Sequence, residues 1–239
     1  MKLRAVTWNV HSWRDSYYRP QFPEMLSILQ DLRPDLLFIQ EARWDPSRGV
    51  YSPEIAQLRA DLELEGFAMC ATHHSPVRHQ ALGHLILSRQ KMCNIQSYDV
   101  GASFSIKRLL LVAQVQAGRN ILSVATTHLS PIPLPSVPAW HWDWLPRASE
   151  TRQLVKAVEK AEQPIILGLD MNATPQTTDF KRLASVLSPV SQDHCSHISG
   201  LCLDFIFTTP RMNASPYSIR LSTSPSDHYP VAADIILPG

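Results

Sequence analysis

Four places in this 239-residue chain set a carboxylate, carboxamide or imidazole at the end of a short apolar run: Trp8-Asn9, Gln40-Glu41, His128 and Asp170-Met171-Asn172. A fifth pair, Asp227-His228, stands just before the last such run. A rigid sheet can hold groups of this kind at one shared edge. Two or three carboxylates with an Asn make a hard oxygen site, suited to Mg²⁺ or Mn²⁺ rather than to Zn²⁺, which favours Cys and His. Asp204 lies inside the apolar stretch LDFIF, where a carboxylate without a partner is costly, and His228 is its natural partner. An Asp beside a His orients the ring and favours its protonated form. The chemistry open to such a set is that of a divalent cation held by hard oxygen ligands beside a titratable imidazole. No Ser nucleophile elbow or catalytic Cys signature competes with this set.

The elements that must position these groups are mostly strands. Apolar runs of strand length occupy 3–8, 36–40, 85–88, 109–116, 121–127, 165–169, 203–208 and 231–236. The link Ala117-Gly118-Arg119-Asn120 joins two of them as a hairpin. Helices are fewer. One runs over 23–32, ended by Pro34, and a second follows the cap Ser52-Pro53 towards Gly66. A third covers 147–161 before Gln163-Pro164, and a weaker one 179–187. Many strands with a few interspersed helices predict an α/β or α+β layered fold, with all of 1–239 in one domain and no linker to divide it.

Composition narrows the function classes. With 22 Lys and Arg against 21 Asp and Glu, the formal charge is +1, which argues against a strong global positive field for gripping a nucleic-acid duplex. No apolar run approaches the roughly 20 residues of a membrane-spanning helix. The start MKLRAVTWNVHSW lacks the regions of a secretory signal, so the chain is read as cytoplasmic. Cys70, Cys93, Cys195 and Cys202 form no CxxC pair and are read as reduced, mostly buried thiols.

Six segments, taken in order, carry a resemblance: WNVHS at 8–12, FIQEAR at 38–43, THLSP at 127–131, GLDMNATP at 168–175, LDFIF at 203–207 and SDHYPV at 226–231. Together they resemble the endonuclease/exonuclease/phosphatase superfamily over nearly the whole chain. The resemblance implies a deoxyribonuclease I-like four-layer sandwich, two β-sheets face to face with helices outside, and a metal-dependent phosphoric ester hydrolase. It also implies roles. Glu41 is similar to the principal Mg²⁺ ligand, with Asn9 and Asp227 near the metal. Asp170 and Asn172 resemble the pair that positions the attacking water and the scissile phosphate. His228 matches the imidazole partnered by Asp204, and His128 the histidine that contacts a phosphate oxygen or assists the leaving group. Whether Asp170 or His228 takes the proton stays open. Alone, Asn9 fits a strand end and Asn172 a helix cap; the ordered set gives them weight.

Two segments depart from the family pattern. Where members often carry Gly-Asn before the strand at 85–88, this chain has Gly83-His84, which makes His84 a candidate substrate contact with a bearing on preference. The nearby His73, His74 and His79, like Asp193, His194, Cys195 and His197, lack structural zinc spacing and are read as polar loop residues. After His128, residues 131–146 hold five of the 19 prolines and three of the six tryptophans. Trp140, Trp142 and Trp144 share one face if that stretch is extended, either covering the core or stacking a base, an aromatic leaving group or lipid.

The leading expectation is therefore a Mg²⁺-dependent (Mn²⁺ as an alternative) phosphoesterase acting by in-line attack of water. Its expected partner is a phosphate-ester substrate. The near-neutral charge favours a lipid headgroup or small phosphodiester over a nucleic acid end, and a DNA endonuclease, exonuclease or end-processing phosphodiesterase is the second expectation. A non-catalytic binding module of the same fold is a third, disfavoured because Asn9, Glu41, Asp170, Asn172, Asp227 and His228 are all present.

Overall fold

A computed structural model describes residues 1–75, 77, 79–102, 107–118, 120–131, 146–191 and 195–237. Trp140, Trp142 and Trp144, with most of the Pro-rich stretch, lie outside the described residues. The elements are β1 (Lys2–Asn9), α1 (Phe22–Leu32), β2 (Leu36–Trp44), α2 (Pro53–Asp61), β3 (Gly66–Ser75), β4 (Gln80–Ser88), β5 (Met92–Asp99), β6 (Leu109–Ala117), β7 (Asn120–His128), α3 (Pro146–Lys160), β8 (Ile165–Asp170), α4 (Thr178–Ala184), β9 (Ser188–Pro189), β10 (Asp204–Thr208), β11 (Asn213–Tyr217) and β12 (Val231–Ile236).

The strands form two six-stranded sheets, ordered β11-β12-β1-β2-β4-β3 and β5-β6-β7-β8-β10-β9. Each sheet is antiparallel except for one central parallel pair, β1 with β2 and β7 with β8. A parallel pair needs a crossover, and α1 and α3 supply the two. Three apolar layers result. Leu3, Ala5, Phe38, Ile86, Val124, Ile166 and Ile206 fill the space between the sheets. Leu29, Leu37, Ile39, Leu58 and Leu85 join the first sheet to α1 and α2, and Leu154, Val158, Leu167, Phe180 and Phe205 join the second to α3 and α4. The architecture is an α/β sandwich of four layers.

Two contacts set the distance between the sheets near their functional edge. Gly168 on β8 faces Phe38 on β2, and a Cβ there would lie 2.5 Å from Phe38 Cδ2, so the closest approach requires glycine. Beside it, the fully buried Gln40 donates from Nε2 to Thr7 Oγ1 (3.0 Å) within its own sheet and to Thr126 Oγ1 (2.8 Å) across the gap. This polar clamp closes the apolar interlayer where it meets the site.

The strands missed from sequence are β3, β5, β9 and β11. All four carry mostly partly buried or exposed residues, and they are the four sheet edges, where one side of the ladder is unpaired and little is buried to impose alternation. The helix expected to run from Ser52 towards Gly66 stops at Asp61, and Gly66 begins β3 instead. No disulfide links the cysteines, but their expected burial is corrected. Cys93 on edge strand β5 and Cys195 in a loop are exposed, and Cys70 and Cys202 are half-buried. Among the described residues no helix is long and apolar enough to cross a membrane.

Candidate active site

The carboxyl ends of both parallel pairs point to the same edge of the sandwich, as the register Asn9↔Gln40 and His128↔Asp170 shows. β10 runs antiparallel to β8, so its first residue, Asp204, lies directly opposite Asp170. The loop preceding β12 is tied to the end of β1, because Ser226 Oγ donates to the Asn9 carbonyl (2.8 Å) and Trp8 Nε1 to the His228 carbonyl (2.9 Å). Chain ends far apart in sequence thus meet at one cleft of about 670 Å³. Among its lining residues are Asn9, Glu41, His84, His128, Asp170, Asn172, Asp227 and His228.

Local backbone detail aims the side chains. β2 bulges between Ile39 and Ala42 against β4, and Glu41 takes a left-handed φ of 53°. The bulge lets Gln40 point between the sheets while Glu41 reaches the cleft, and bulges serve to re-aim a side chain in this way. Asn172 also has a positive φ of 51°, which Asn tolerates better than most residues. Its amide donates to Asp170 Oδ1 (2.9 Å), and Arg147, paired with Asp179 at 2.9 Å, donates to its carbonyl.

The hydrogen bonds form one network. Asn9 Nδ2 donates to Glu41 Oε1 (3.2 Å) and Asp170 Oδ2 (2.9 Å), and its Oδ1 accepts from the His11 amide (3.0 Å). Asn172 Nδ2 donates to the Leu129 carbonyl (3.0 Å) and lies 2.9 Å from His128 Nε2. An amide N–H directed at Nε2 makes that nitrogen an acceptor and leaves the proton on Nδ1, which faces Glu41 Oε1 at 3.6 Å. His228 Nδ1 bonds Asp204 Oδ2 at 2.7 Å, while its Nε2 lies 3.7 Å from Asp170 Oδ2.

Electrostatics divide the roles. Burial, reinforced by the negative charge of Asp204, pushes the Asp170 carboxyl up to about 7, against the opposing pull of His228 and the Asn9 and Asn172 hydrogen bonds. For His228, burial works against the charged ring, but Asp204 and Asp170 outweigh it and raise the imidazole to about 10. His128 is driven the other way, well below its ordinary value, by burial and by the charges of Arg108, His84 and His228. The site therefore holds an imidazolium clamped by one carboxylate, a second carboxyl that exchanges its proton near neutrality, and a neutral imidazole.

Two compact groups of ligating atoms occur among the described residues, His197-Asp227-His228 and Asp170-Asp204-His228. The second is internally paired through the imidazolium. The oxygens best placed to accept a hard cation belong to Glu41 and Asp227, whose side chains remain partly open to the cleft. Asn9 turns its nitrogen, not its oxygen, towards Glu41, so ligation through Oδ1 requires its amide to turn over.

All eight expected catalytic and metal residues share this site, as does His84. His73 and His74, expected in loops, lie on β3, and His84, expected just before a strand, lies on β4, where the alternation that places Ile86 between the sheets buries His84 there too. Sequence reading missed Arg108 and His197. Arg108 lines the cleft just ahead of β6, and the His197 ring packs against His228 at 4.8 Å, almost perpendicular to it. Neither follows an apolar run, so no strand-end signal marked them.

The chain belongs to the Endonuclease/Exonuclease/phosphatase family, whose model matches residues 6–228. An endonuclease/exonuclease/phosphatase from Beutenbergia cavernae superposes with a TM-score of 0.78 at 17% identity, covering 100% of this chain and 72% of that one. ANGEL2, a 2′,3′-cyclic phosphatase, gives 0.75 at 14%, covering 98% and 95%. The human Nocturnin catalytic domain, with a bound sulfate anion, gives 0.69 at 18%, covering 98% and 94%. At these identities the likeness is one of fold. No curated protein matches the chain in sequence.

Proposed function

We propose that the protein is a Mg²⁺-dependent phosphoesterase that hydrolyses a small or lipid-borne phosphate ester by in-line attack of water. The observation that carries the reading is Asp170, a buried carboxyl raised to about 7, bracketed by two imidazoles at 3.4 and 3.7 Å on the floor of the cleft. A base that exchanges its proton near the working pH is what activation of water requires. Glu41 and Asp227, with Asn9 if its amide turns, would hold the cation, which supplies Lewis-acid stabilisation of phosphoryl charge.

The other residues have distinct tasks. Asp170 accepts the proton of the attacking water, and Asn172 fixes that carboxylate from the backbone side. His228, kept protonated by Asp204, donates towards a phosphoryl oxygen, and His128 presents a neutral ring to the ester. The cleft volume suits a small phosphate ester, and the family neighbours include a cyclic phosphatase and a domain that binds sulfate. The formal charge of +1 weighs against a processive nuclease.

The test is hydrolysis of p-nitrophenyl phosphate and bis(p-nitrophenyl) phosphate, with DNA and phospholipid vesicles alongside, in Mg²⁺ and in EDTA. Metal-stimulated turnover that disappears in Asp170→Ala and loses its metal dependence in Glu41→Ala supports the reading. Absence of turnover on every ester, or a Glu41→Ala protein as active as the parent, refutes it.

A further inference from the structure

On the wall of the cleft, on β4 beside the β2 bulge that carries Glu41, His84 presents an anomaly. Its side chain is 2% exposed, yet neither Nδ1 nor Nε2 has a hydrogen-bond partner among the described residues. A buried imidazole with both nitrogens unsatisfied is a cost that an apolar residue at this position would avoid. The ring is kept neutral, its value depressed to about 3 by burial and by the charge of Arg108. It therefore carries one N–H donor, and both it and Arg108 line the cleft.

Arg108 is equally distinctive. Its Nε donates to Ser130 Oγ (3.3 Å), and Ser130 is fixed in turn by the buried Glu150, to which its hydroxyl (2.7 Å) and amide (2.8 Å) both donate. Among the described residues no carboxylate contacts the guanidinium directly, and Ser130 stands between it and Glu150. The cleft thus carries both signs of charge, with the carboxyl groups of Glu41, Asp170 and Asp227 and the guanidinium of Arg108 beside His84 among its lining residues. A cation bound by the carboxylates meets the reacting part of an ester, and a guanidinium beside a neutral N–H donor suits further anionic oxygen.

We propose that His84 and Arg108 form a phosphate subsite holding a charged oxygen that does not react, either a free oxygen of a terminal phosphomonoester or an oxygen of an adjoining second phosphate. This rests on the phosphoesterase reading and narrows it to substrates richer in negative charge than a simple diester. The unsatisfied nitrogens of His84 and a guanidinium that no carboxylate contacts directly among the described residues are then both explained by one ligand.

The experiment follows the histidine ring signals of ¹⁵N-labelled protein in EDTA during titration with inorganic phosphate, pyrophosphate and dimethyl phosphate. The His84 signals are assigned by their loss in His84→Leu. Phosphate should move them, dimethyl phosphate should not, and Arg108→Ala or Arg108→Gln should weaken phosphate binding about tenfold or more, the scale of one lost charge-assisted contact. A pyrophosphate response much stronger than that of phosphate identifies the second-phosphate source, and equal responses identify the terminal monoester. In Mg²⁺, His84→Leu should lower the preference for p-nitrophenyl phosphate over the bis-ester while melting no lower than the parent. Phosphate that shifts His128 and His228 but leaves His84 unmoved, or dimethyl phosphate that binds as well as phosphate, overturns the proposal. Failure of hydrolysis alone refutes the phosphoesterase reading and leaves the titration to judge the subsite.

Discussion

Replacing Gly168 with Ala tests how the sheet spacing supports the site. The added methyl would lie 2.5, 2.7 and 2.9 Å from Cδ2, Cγ and Cβ of the buried Phe38, against roughly 3.5–4.0 Å for carbons in contact, so the two must separate by about 1 Å. Phe38 cannot swing aside, because it is packed between the sheets with Leu36, Ile86 and Ile166. Overpacking of this kind costs about 1–3 kcal/mol, while Ala in place of Gly recovers about 0.5–1 kcal/mol of chain entropy. The net expectation is a loss of about 1–2 kcal/mol, or a fall in Tm of roughly 2–8 °C for a chain of this size. The consequence for activity should be larger. Phe38 lies three residues before Glu41 and Gly168 two before Asp170, so separating the sheets displaces one side of the site from the other, and about 1 Å of displacement costs on the order of a hundredfold in rate. Thermal melts and hydrolysis would be measured on Gly168→Ala, Phe38→Leu and the double variant. The two changes should couple, with Phe38→Leu relieving part of the loss. A Gly168→Ala protein as stable and active as the parent, or strict additivity in the cycle, would refute the reasoning.

Asp204→Asn removes the charge that most favours the His228 imidazolium, so an NMR titration in EDTA should find that ring's pKa moved down from about 10; an unchanged titration would show that Asp204 does not sustain the charge. His84 makes a second pH prediction. Its folded value, about 3, lies below the 6.5 of the unfolded chain, so the unfolded state takes up the proton first, and this contribution to stability is present above pH 6.5 and lost as pH falls towards 3. Urea melts in EDTA should therefore show the stability of His84→Leu relative to the parent rising by roughly 2–3 kcal/mol between pH 7 and 4.5. Asp170, whose folded value is raised, acts in the opposite sense between 7 and 3.8 in both proteins and cancels in the comparison. A constant difference across that range would mean that His84 titrates as it does in the unfolded chain.

The sequence by itself determined most of the residues that meet, Arg108 and His197 excepted. Apolar runs ending in Asn9, Glu41, His128 and Asp170 place those side chains at strand ends, and parallel strands joined by helices bring such ends to one edge. The need of Asp204 for a partner was legible as well, since a carboxylate within an apolar strand must be compensated. Tertiary structure decided what alternation within one strand does not encode. The bulge in β2 sends Gln40 between the sheets and Glu41 into the cleft. The edge strands, paired on one side only, left no periodic trace. His84 was marked as a candidate substrate contact, but its burial and its neighbour Arg108 became visible only when β4 turned it into the interlayer. Proton affinities belong wholly to the folded state, because the burial that lifts Asp170 and the charges that lift His228 come from segments that only the packing of two sheets brings within a few ångströms of each other.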